Sequence, residues 1–241
     1  MILLGFDTAT SATAVALELA DGTIREARDD PAPGAHPGHA TRLLAMADGL
    51  LAGAGVGWAE VGRIAVGVGP GTFTGLRVGV ATARGLAQSL GCGLLGVSSL
   101  GALAGPALAE GRPGGVLAVI DARRGEVFLA AHGPAGEQLL APCALAPGLL
   151  GEALAAIGPE GGPWRAVGDG ALRYREAFEG AGVSVPADSC GLHLLRATAI
   201  CGLAGAPARD VGLEEVLPDY RRRPDAELAL ASAGSTGRSG R

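Results

Sequence analysis

One pattern occurs twice in this chain and limits what it can fold into. Ile2 to Phe6 is a short apolar run ending at Asp7, Thr8 to Ala12 is turn-like, and Thr13 to Leu19 resumes as a strand. Asp21-Gly22 then marks a hairpin, because both residue types tolerate the positive φ of a type I′ turn, and Thr23 to Ala27 leads away. Val116 to Ile120 repeats the apolar run and ends at Asp121; Ala122 to Gly125 turns, Glu126 to Ala131 is a strand, Gly133 to Gly136 turns, and Glu137 to Ala141 leads away. Two copies of one strand meander predict a duplicated lobe.

Between the copies the period changes. Leu43, Ala47, Leu50, Leu51 and Ala54 share one helical face, Arg63 to Val68 is a strand, and a glycine loop from Gly67 to Gly75 opens a helix reaching about Leu90. Gly93 to Val97 is a further strand, and Ser98 is placed to cap the helix behind it, which Gly111 to Gly115 breaks. A meander followed by helix, strand, helix and strand builds a ribonuclease H-like lobe, and two such lobes make the α/β actin-like ATPase fold. The expected division is an N-terminal lobe at 1–112, a smaller, degenerate C-terminal lobe at 113–231, and a disordered tail at 232–241, where Ser, Gly and Arg offer no apolar face. Within the second lobe, Gly148 to Ile157 and Leu172 to Glu179 read as helical around a short strand at Arg165 to Gly168.

The core must be built from small side chains, since the chain is 48% hydrophobic but only 3% aromatic, with 42 Gly among 241 residues. All 19 basic residues are arginine, and the formal charge of −5 excludes the broad positive field of a stand-alone nucleic-acid binder. Cys92, Cys143, Cys190 and Cys201 form no CxxC and read as free thiols of a reducing compartment. Met1 leads into a short apolar run without the basic flank of a signal peptide, and Gly, Pro and charges interrupt every longer one, so the expectation is a cytoplasmic protein with no membrane segment.

The glycine loop invites a phosphate-binding reading that its spacing does not support. Gly75 is followed by Leu76 and Arg77 where a Walker A loop has Lys and Ser/Thr, and Thr74 stands where a dinucleotide fingerprint has its third Gly. What remains is a tight turn in which Pro70 sets φ and Thr72 or Thr74 is the N-cap. Behind it, Gly75, Gly79, Ala83 and Ala87 recur every four residues as a smooth strip, fit either for packing on the chain's own sheet or for close contact with a helix of another subunit. Asp7 and Asp121 end the two first strands, where an actin-like ATPase gathers carboxylates around nucleotide and metal; turn capping is the simpler reading, because Ala9 stands where such enzymes need Gly. His36 and His39, split by Pro37-Gly38, read as surface histidines, and His132 and His193 as isolated ones. Gly168-Asp169-Gly170 is the single weak candidate for an adenosine pocket, and Arg221-Arg222-Arg223 reads as a solvated face or a small anion contact.

Residues 2–10 (ILLGFDTAT), 69–79 (GPGTFTGLRVG, containing Gly69, Pro70, Gly71, Thr72, Gly75 and Arg77), 96–99 and 120–127 (IDARRGEV) resemble the TsaB (YeaZ) family, closely from Met1 to about His132. Asp7, Thr8 and Asp121 belong to the same motifs. Further on, Pro218-Asp-Tyr220-Arg-Arg222 resembles the family's C-terminal Pro-x-Tyr-Leu-Arg, with Arg221 replacing Leu. The resemblance implies a non-catalytic subunit of the machinery that transfers threonylcarbamoyl to N6 of adenosine 37 of tRNAs. Its partners would be a TsaD-like catalytic subunit and a TsaE-like ATPase, with a homodimer possible when alone, tRNA met only through the complex, and no membrane. ATP and metal would belong to the partners, with no cofactor in this chain: TsaD carries a His-x-x-x-His metal pair after the fifth strand, and Ser99 and Leu103 hold those places here. The resemblance also places the partner contact on the helix from Thr74 to Leu90 beside the helix from His39 to Ala54. Leu43, Ala47, Leu51, Gly75, Gly79, Ala83 and Ala87 are then the expected contact residues, and Ala83→Arg is expected to fold yet lose the partner. The alternatives are an actin-like ATPase or small-molecule kinase active alone, and a metallopeptidase, which would lack metal ligands.

Overall fold

The computed structural model describes residues 1–32, 34–158, 162–205 and 211–221. The expected disordered tail at 232–241 lies outside them, as do Arg222 and Arg223.

The first sheet has the order β3-β2-β1-β4-β5, formed by β1 (Ile2–Asp7), β2 (Thr13–Glu18), β3 (Ile24–Asp29), β4 (Val61–Gly69) and β5 (Gly93–Ser98). β1, β2 and β3 pair antiparallel, while β4 and β5 join β1 in parallel. The second sheet repeats the arrangement without its last strand: β8-β7-β6-β9, from β6 (Val116–Arg123), β7 (Glu126–His132), β8 (Gln138–Leu145) and β9 (Arg165–Val167). β6, β7 and β8 are antiparallel and β9 is parallel to β6. This is the actin-like ATPase, ribonuclease H-like architecture in two duplicated lobes. Asp7 and Asp121 occupy matching positions on their central strands, paired with Ala14 and Val127.

α1 (His39–Ala54) and α2 (Phe73–Leu90) cover one face of the first sheet. The opposite face meets α3 (Ser99–Ala109) and α7 (Ala197–Gly205), and α3 also packs on β6, so one buried cluster runs from Leu3 and Ala65 through Leu100 and Ile200 to Ala118 and Ile120. α4 (Leu150–Ile157), α5 (Asp169–Arg173) and α6 (Arg175–Gly180) close the far side of the second sheet around Leu117, Leu150 and Phe178. The helical stretch expected over 172–179 is thus broken at Tyr174.

Three local expectations change. At Asp21-Gly22 only Gly22 takes positive φ (85°); Gly22 N donates to Leu19 O, and the Asp21 carboxylate accepts from Thr23 N at 2.9 Å, so the turn needs one left-handed residue rather than two. Positive φ at consecutive residues occurs instead at Arg123, Arg124 and Gly125, between β6 and β7. His39 is no surface residue: it is 4% exposed, and its Nδ1 lies 2.8 Å from the Thr13 hydroxyl, which joins the first turn of α1 to β2. Ser98, by contrast, caps α3 as read, accepting from Gly101 N at 3.2 Å.

α7 went unread in the sequence. It follows the second sheet in the chain but packs on β1 and β2, and it is held there by Glu26 of β3, which binds the Arg196 guanidinium at 2.8 Å and 2.5 Å and accepts from Thr198 N at 3.2 Å. Among the described residues no helix is long and apolar enough to cross a membrane.

Candidate functional site

The turn after β1 is where an actin-like ATPase would meet a phosphate, and here it is sealed by the chain itself. Asp7 is 1% exposed; its Oδ1 accepts from Ala9 N at 2.6 Å and its Oδ2 from the Ser99 hydroxyl at 2.6 Å, while Ser99 Oγ accepts from Gly69 N at 3.1 Å. Burial pushes the Asp7 carboxyl up to about 6, against the pull of these hydrogen bonds and of Arg28. Gly67 is required beside it, since a Cβ there would overlap the Asp7 carboxylate.

The glycine loop closes over the same turn. Thr72 N donates to Ala9 O at 2.7 Å and the Thr8 hydroxyl to Gly75 O at 2.7 Å. A Cβ at Gly71 would overlap Ala9, one at Gly75 the Thr8 carbonyl, and one at Gly79 the Thr8 hydroxyl. Thr72 holds the N-cap position of α2 without a side-chain cap bond. The glycines of the loop therefore let two pieces of this chain's backbone touch, and the space a phosphate would need is filled. A nucleotide's phosphates do not fit this turn.

The matching turn of the second lobe is likewise tied up. Asp121 Oδ1 accepts from Arg123 N at 2.9 Å, its Oδ2 lies 3.4 Å from both the Arg123 and Arg173 guanidiniums, and its own N–H donates to Asp169 Oδ1 at 3.0 Å. Gly168 and Gly170 allow α5 to lie on β6, because a Cβ at Gly168 would overlap the Val119 carbonyl and one at Gly170 would lie 2.8 Å from the Ile120 carbonyl carbon. That is a packing role for the two glycines, whose backbone lies against β6.

A cavity of about 180 Å³ remains between the lobes, with Thr10, Arg28, Asp30, Asp169, Asp188 and His193 on its walls. Arg28 is engaged by Asp30 at 2.8 Å and by Leu195 O at 2.5 Å. His193 Nδ1 lies 3.2 Å from Gly168 N and 3.3 Å from Gly168 O, and its Nε2 lies 3.2 Å from Pro186 O. Three carboxylates against one arginine make a wall that repels polyphosphate. Among the described residues no three His, Cys, Asp or Glu side chains gather closely enough to hold a metal ion. Ser99 is spent on Asp7, and Leu103 is 2% exposed in the core.

The expected contact residues need correction. Leu43, Ala47, Leu51, Gly75, Gly79, Ala83 and Ala87 are all buried, and they face the chain's own first sheet together with Leu4, Ile64 and Val66. The four-residue spacing marks the inner face, because the tight partner of α2 is the β1 turn through Thr8. Of the remaining motif residues, Arg77 is exposed at the start of α2.

The outer faces of the same helices carry a feature that sequence spacing did not single out. Gly49 in α1 and Gly85 in α2 are exposed, and a Cβ at either would meet nothing within 4 Å. Each weakens its helix by roughly 1 kcal/mol relative to Ala, and among the described residues no close backbone approach requires it. Around them are Leu44, 46% exposed, and the small residues Ala45, Ala52 and Ala81. The outer faces of α1 and α2 thus carry an exposed glycine in the middle of each helix, with exposed Asp48 and Gln88 close by.

The comparisons with known proteins agree with this geometry. Residues 33–154 match the family model described as TsaD, tRNA N6-adenosine threonylcarbamoyltransferase. The tRNA threonylcarbamoyladenosine biosynthesis protein TsaB of Escherichia coli strain K12 is 39% identical over 132 residues, 55% of each chain, and that of Bacillus subtilis strain 168 is 34% identical over 130 residues, 53% of each. The matched stretch is about half the length of these curated relatives. Two solved structures from Pseudomonas aeruginosa extend the likeness: a protein described as similar to peptidase YeaZ (35% identity, TM-score 0.74, covering 92% of this chain and 99% of that one), and YeaZ itself (33%, TM-score 0.70, covering 91% and 100%). With sequence alike over about half its length and structure alike over nearly all of it, the chain belongs to the TsaB (YeaZ) family.

Proposed function

We propose that this chain is the non-catalytic partner subunit of a cytoplasmic complex that transfers threonylcarbamoyl to N6 of adenosine 37 of tRNAs. It seats a TsaD-like catalytic subunit on the outer faces of α1 and α2, with a TsaE-like ATPase as a further partner. In this reading ATP and metal act in the partner subunits, and in their absence the same face can pair with a second copy of the chain. The observation that carries the reading is the pair of exposed glycines, Gly49 and Gly85, on adjacent helices: an outside helix can approach there to backbone distance, and nothing among the described residues uses that space. The closed turn at Asp7 supports the same reading against an ATPase or kinase active alone, because Thr72 N and Ala9 O meet where a phosphate would sit.

The test is co-purification with a TsaD-like subunit. Ala81→Arg, on the outer face of α2, is expected to leave the fold intact, abolish the complex and abolish tRNA modification. Retention of the complex by this variant would place the contact elsewhere. ATP hydrolysis by the isolated chain that disappears in Asp7→Ala would favour the stand-alone enzyme.

A further inference from the structure

The segment 211–221 runs beside α2 along the edge of the first sheet, and it carries apolar side chains that the fold does not use. Val211 N donates to Leu94 O at 3.2 Å and Asp219 N to Val68 O at 2.7 Å, so the segment is fixed on β5 and on β4. Between these ties Val216 is 3% exposed and joins the buried cluster of Val66, Val80 and Leu94. Its backbone is extended (φ −81°, ψ 98°), and an extended chain turns successive side chains to opposite sides, which sends Leu217 outward. A polar residue would sit there at no loss. Instead it is a leucine 59% exposed, and among the described large apolar side chains only Met1 is more so.

Tyr220 meets the start of α2. Its ring centroid lies 5.0 Å from that of Phe73, its hydroxyl accepts from Arg77 Nε at 3.1 Å, and the Arg77 guanidinium lies 3.8 Å from the centre of the Phe73 ring. Arg221 pairs with Asp219 at 2.6 Å. Both arginines are thus engaged within the chain, and what the corner offers to the outside is the tyrosine ring, 43% exposed, with Leu217 three residues before it and at most about 11 Å away. Arg77 also belongs to the outer face of α2, as one of the exposed residues Arg77, Ala81, Gly85 and Gln88 that succeed one another turn by turn. The face that carries the bare glycines therefore continues from α1 across α2 onto Tyr220.

Size decides whether one partner can cover all of it. Arg77 precedes Gly85 by about 12 Å along the helix, and a stable contact covers about 800 Å² on each partner, a disc of about 16 Å radius. Centred on Ala81, such a disc takes in Gly85 and Tyr220 together. Small residues let a helix come close but bury little area each; binding energy concentrates in a few large side chains, tyrosine prominent among them, and costs least when they are held in place beforehand. To the exposed large apolar side chains α1 and α2 contribute only Leu44. We propose that Tyr220 and Leu217 are the anchor of the α1/α2 contact: the partner subunit lays a helix over Gly49 and Gly85 and receives the tyrosine ring and Leu217 in an apolar pocket beside that helix. This rests on the reading that α1 and α2 seat the partner.

The experiment measures the affinity of the full chain for a TsaD-like subunit by calorimetry. Tyr220→Ala is expected to weaken the complex about thirtyfold and Leu217→Ser about tenfold, whereas Tyr220→Phe, which keeps the ring, loses far less than Tyr220→Ala. Leu149→Ser, which changes a leucine 47% exposed before α4 on the second lobe, is the control and is expected to change nothing. Unchanged affinity in Tyr220→Ala and Leu217→Ser would end the contact at α2 and overturn the proposal, as would an equal loss in Leu149→Ser. A lower denaturant midpoint for the isolated Leu217→Ser chain would show that the chain itself covers this leucine, and would overturn it too. If the original chain does not bind a TsaD-like subunit, the proposed function fails instead, and the anchor is judged by sedimentation of the isolated chain. A dimer that Tyr220→Ala and Leu217→Ser both dissociate upholds it, with a second copy as the occupant; a monomer, or a dimer indifferent to both changes, overturns it.

Discussion

The Ser99 hydroxyl donates to Asp7 at 2.6 Å while accepting from Gly69 N at 3.1 Å, so one small side chain joins the ends of β1 and β4 to the first residue of α3. The carboxylate that an ATPase of this fold would offer to nucleotide and metal is here a buried internal strut.

That burial has a pH signature. Burial pushes the Asp7 carboxyl up to about 6 from the ordinary 3.8 of an aspartate, so the native state binds its proton more readily than the unfolded state does. Its contribution to stability is fully present below about pH 4 and is lost as pH rises through about 6, a span of about 3 kcal/mol. Asp7→Asn removes this term. Urea unfolding of both proteins should show the stability gap between them moving in favour of Asn by about that amount from pH 4 to pH 7, and a constant gap would contradict the assignment.

Glycine position separates the two faces of α2. Gly75→Ala drives a Cβ into the Thr8 carbonyl and is expected to lower stability by more than about 2 kcal/mol despite the gain in helix propensity. Gly49→Ala and Gly85→Ala, which meet nothing, are expected to raise the stability of the isolated chain by up to about 1 kcal/mol each. Denaturant midpoints of the three variants provide the measurement.

Ala83→Arg carries the opposite expectation from the one the family resemblance implied. Ala83 is 0% exposed beneath α2, so an arginine there places a charge in the core. The variant is expected to yield no folded protein, and a normal circular dichroism spectrum with a cooperative melt would refute that.

Glu26→Ala removes the acceptor for both Arg196 and Thr198 N, and with it the tie that holds the start of α7 on the first sheet. A loss of roughly 1–3 kcal/mol is expected, with faster hydrogen exchange concentrated in Ala197–Gly205. Uniform loss of protection across the chain would indicate that α7 has no separate stability.

The meanders were legible because a strand ending in Asp, followed by a turn and a second strand, is a local pattern that needs no knowledge of the partner strand. α7 carries a helical repeat at Ala197, Ile200, Cys201 and Ala204, but Leu203 and the small residues between them are also apolar, so no polar face marks the period. Its docking on β1, almost two hundred residues earlier, is a long-range fact. The strip on α2 was legible as a close contact but not as to which side it served, since spacing states that two backbones approach and not whose they are. The buried His39 depended on the hydroxyl of Thr13, and no local signal connects those two positions.

The cluster that runs from Leu3 and Ala65 through α3 to Ala118 and Ile120 has a mechanical meaning. Kinases of two-lobed build work by swinging their halves about a hinge to enclose substrate. Here the helix between the sheets is shared property of both halves, so opening them would tear a single core rather than flex a joint. The machine has become a wedge: a body of fixed shape, whose outer helices are presented already aligned and need no ordering when something settles on them.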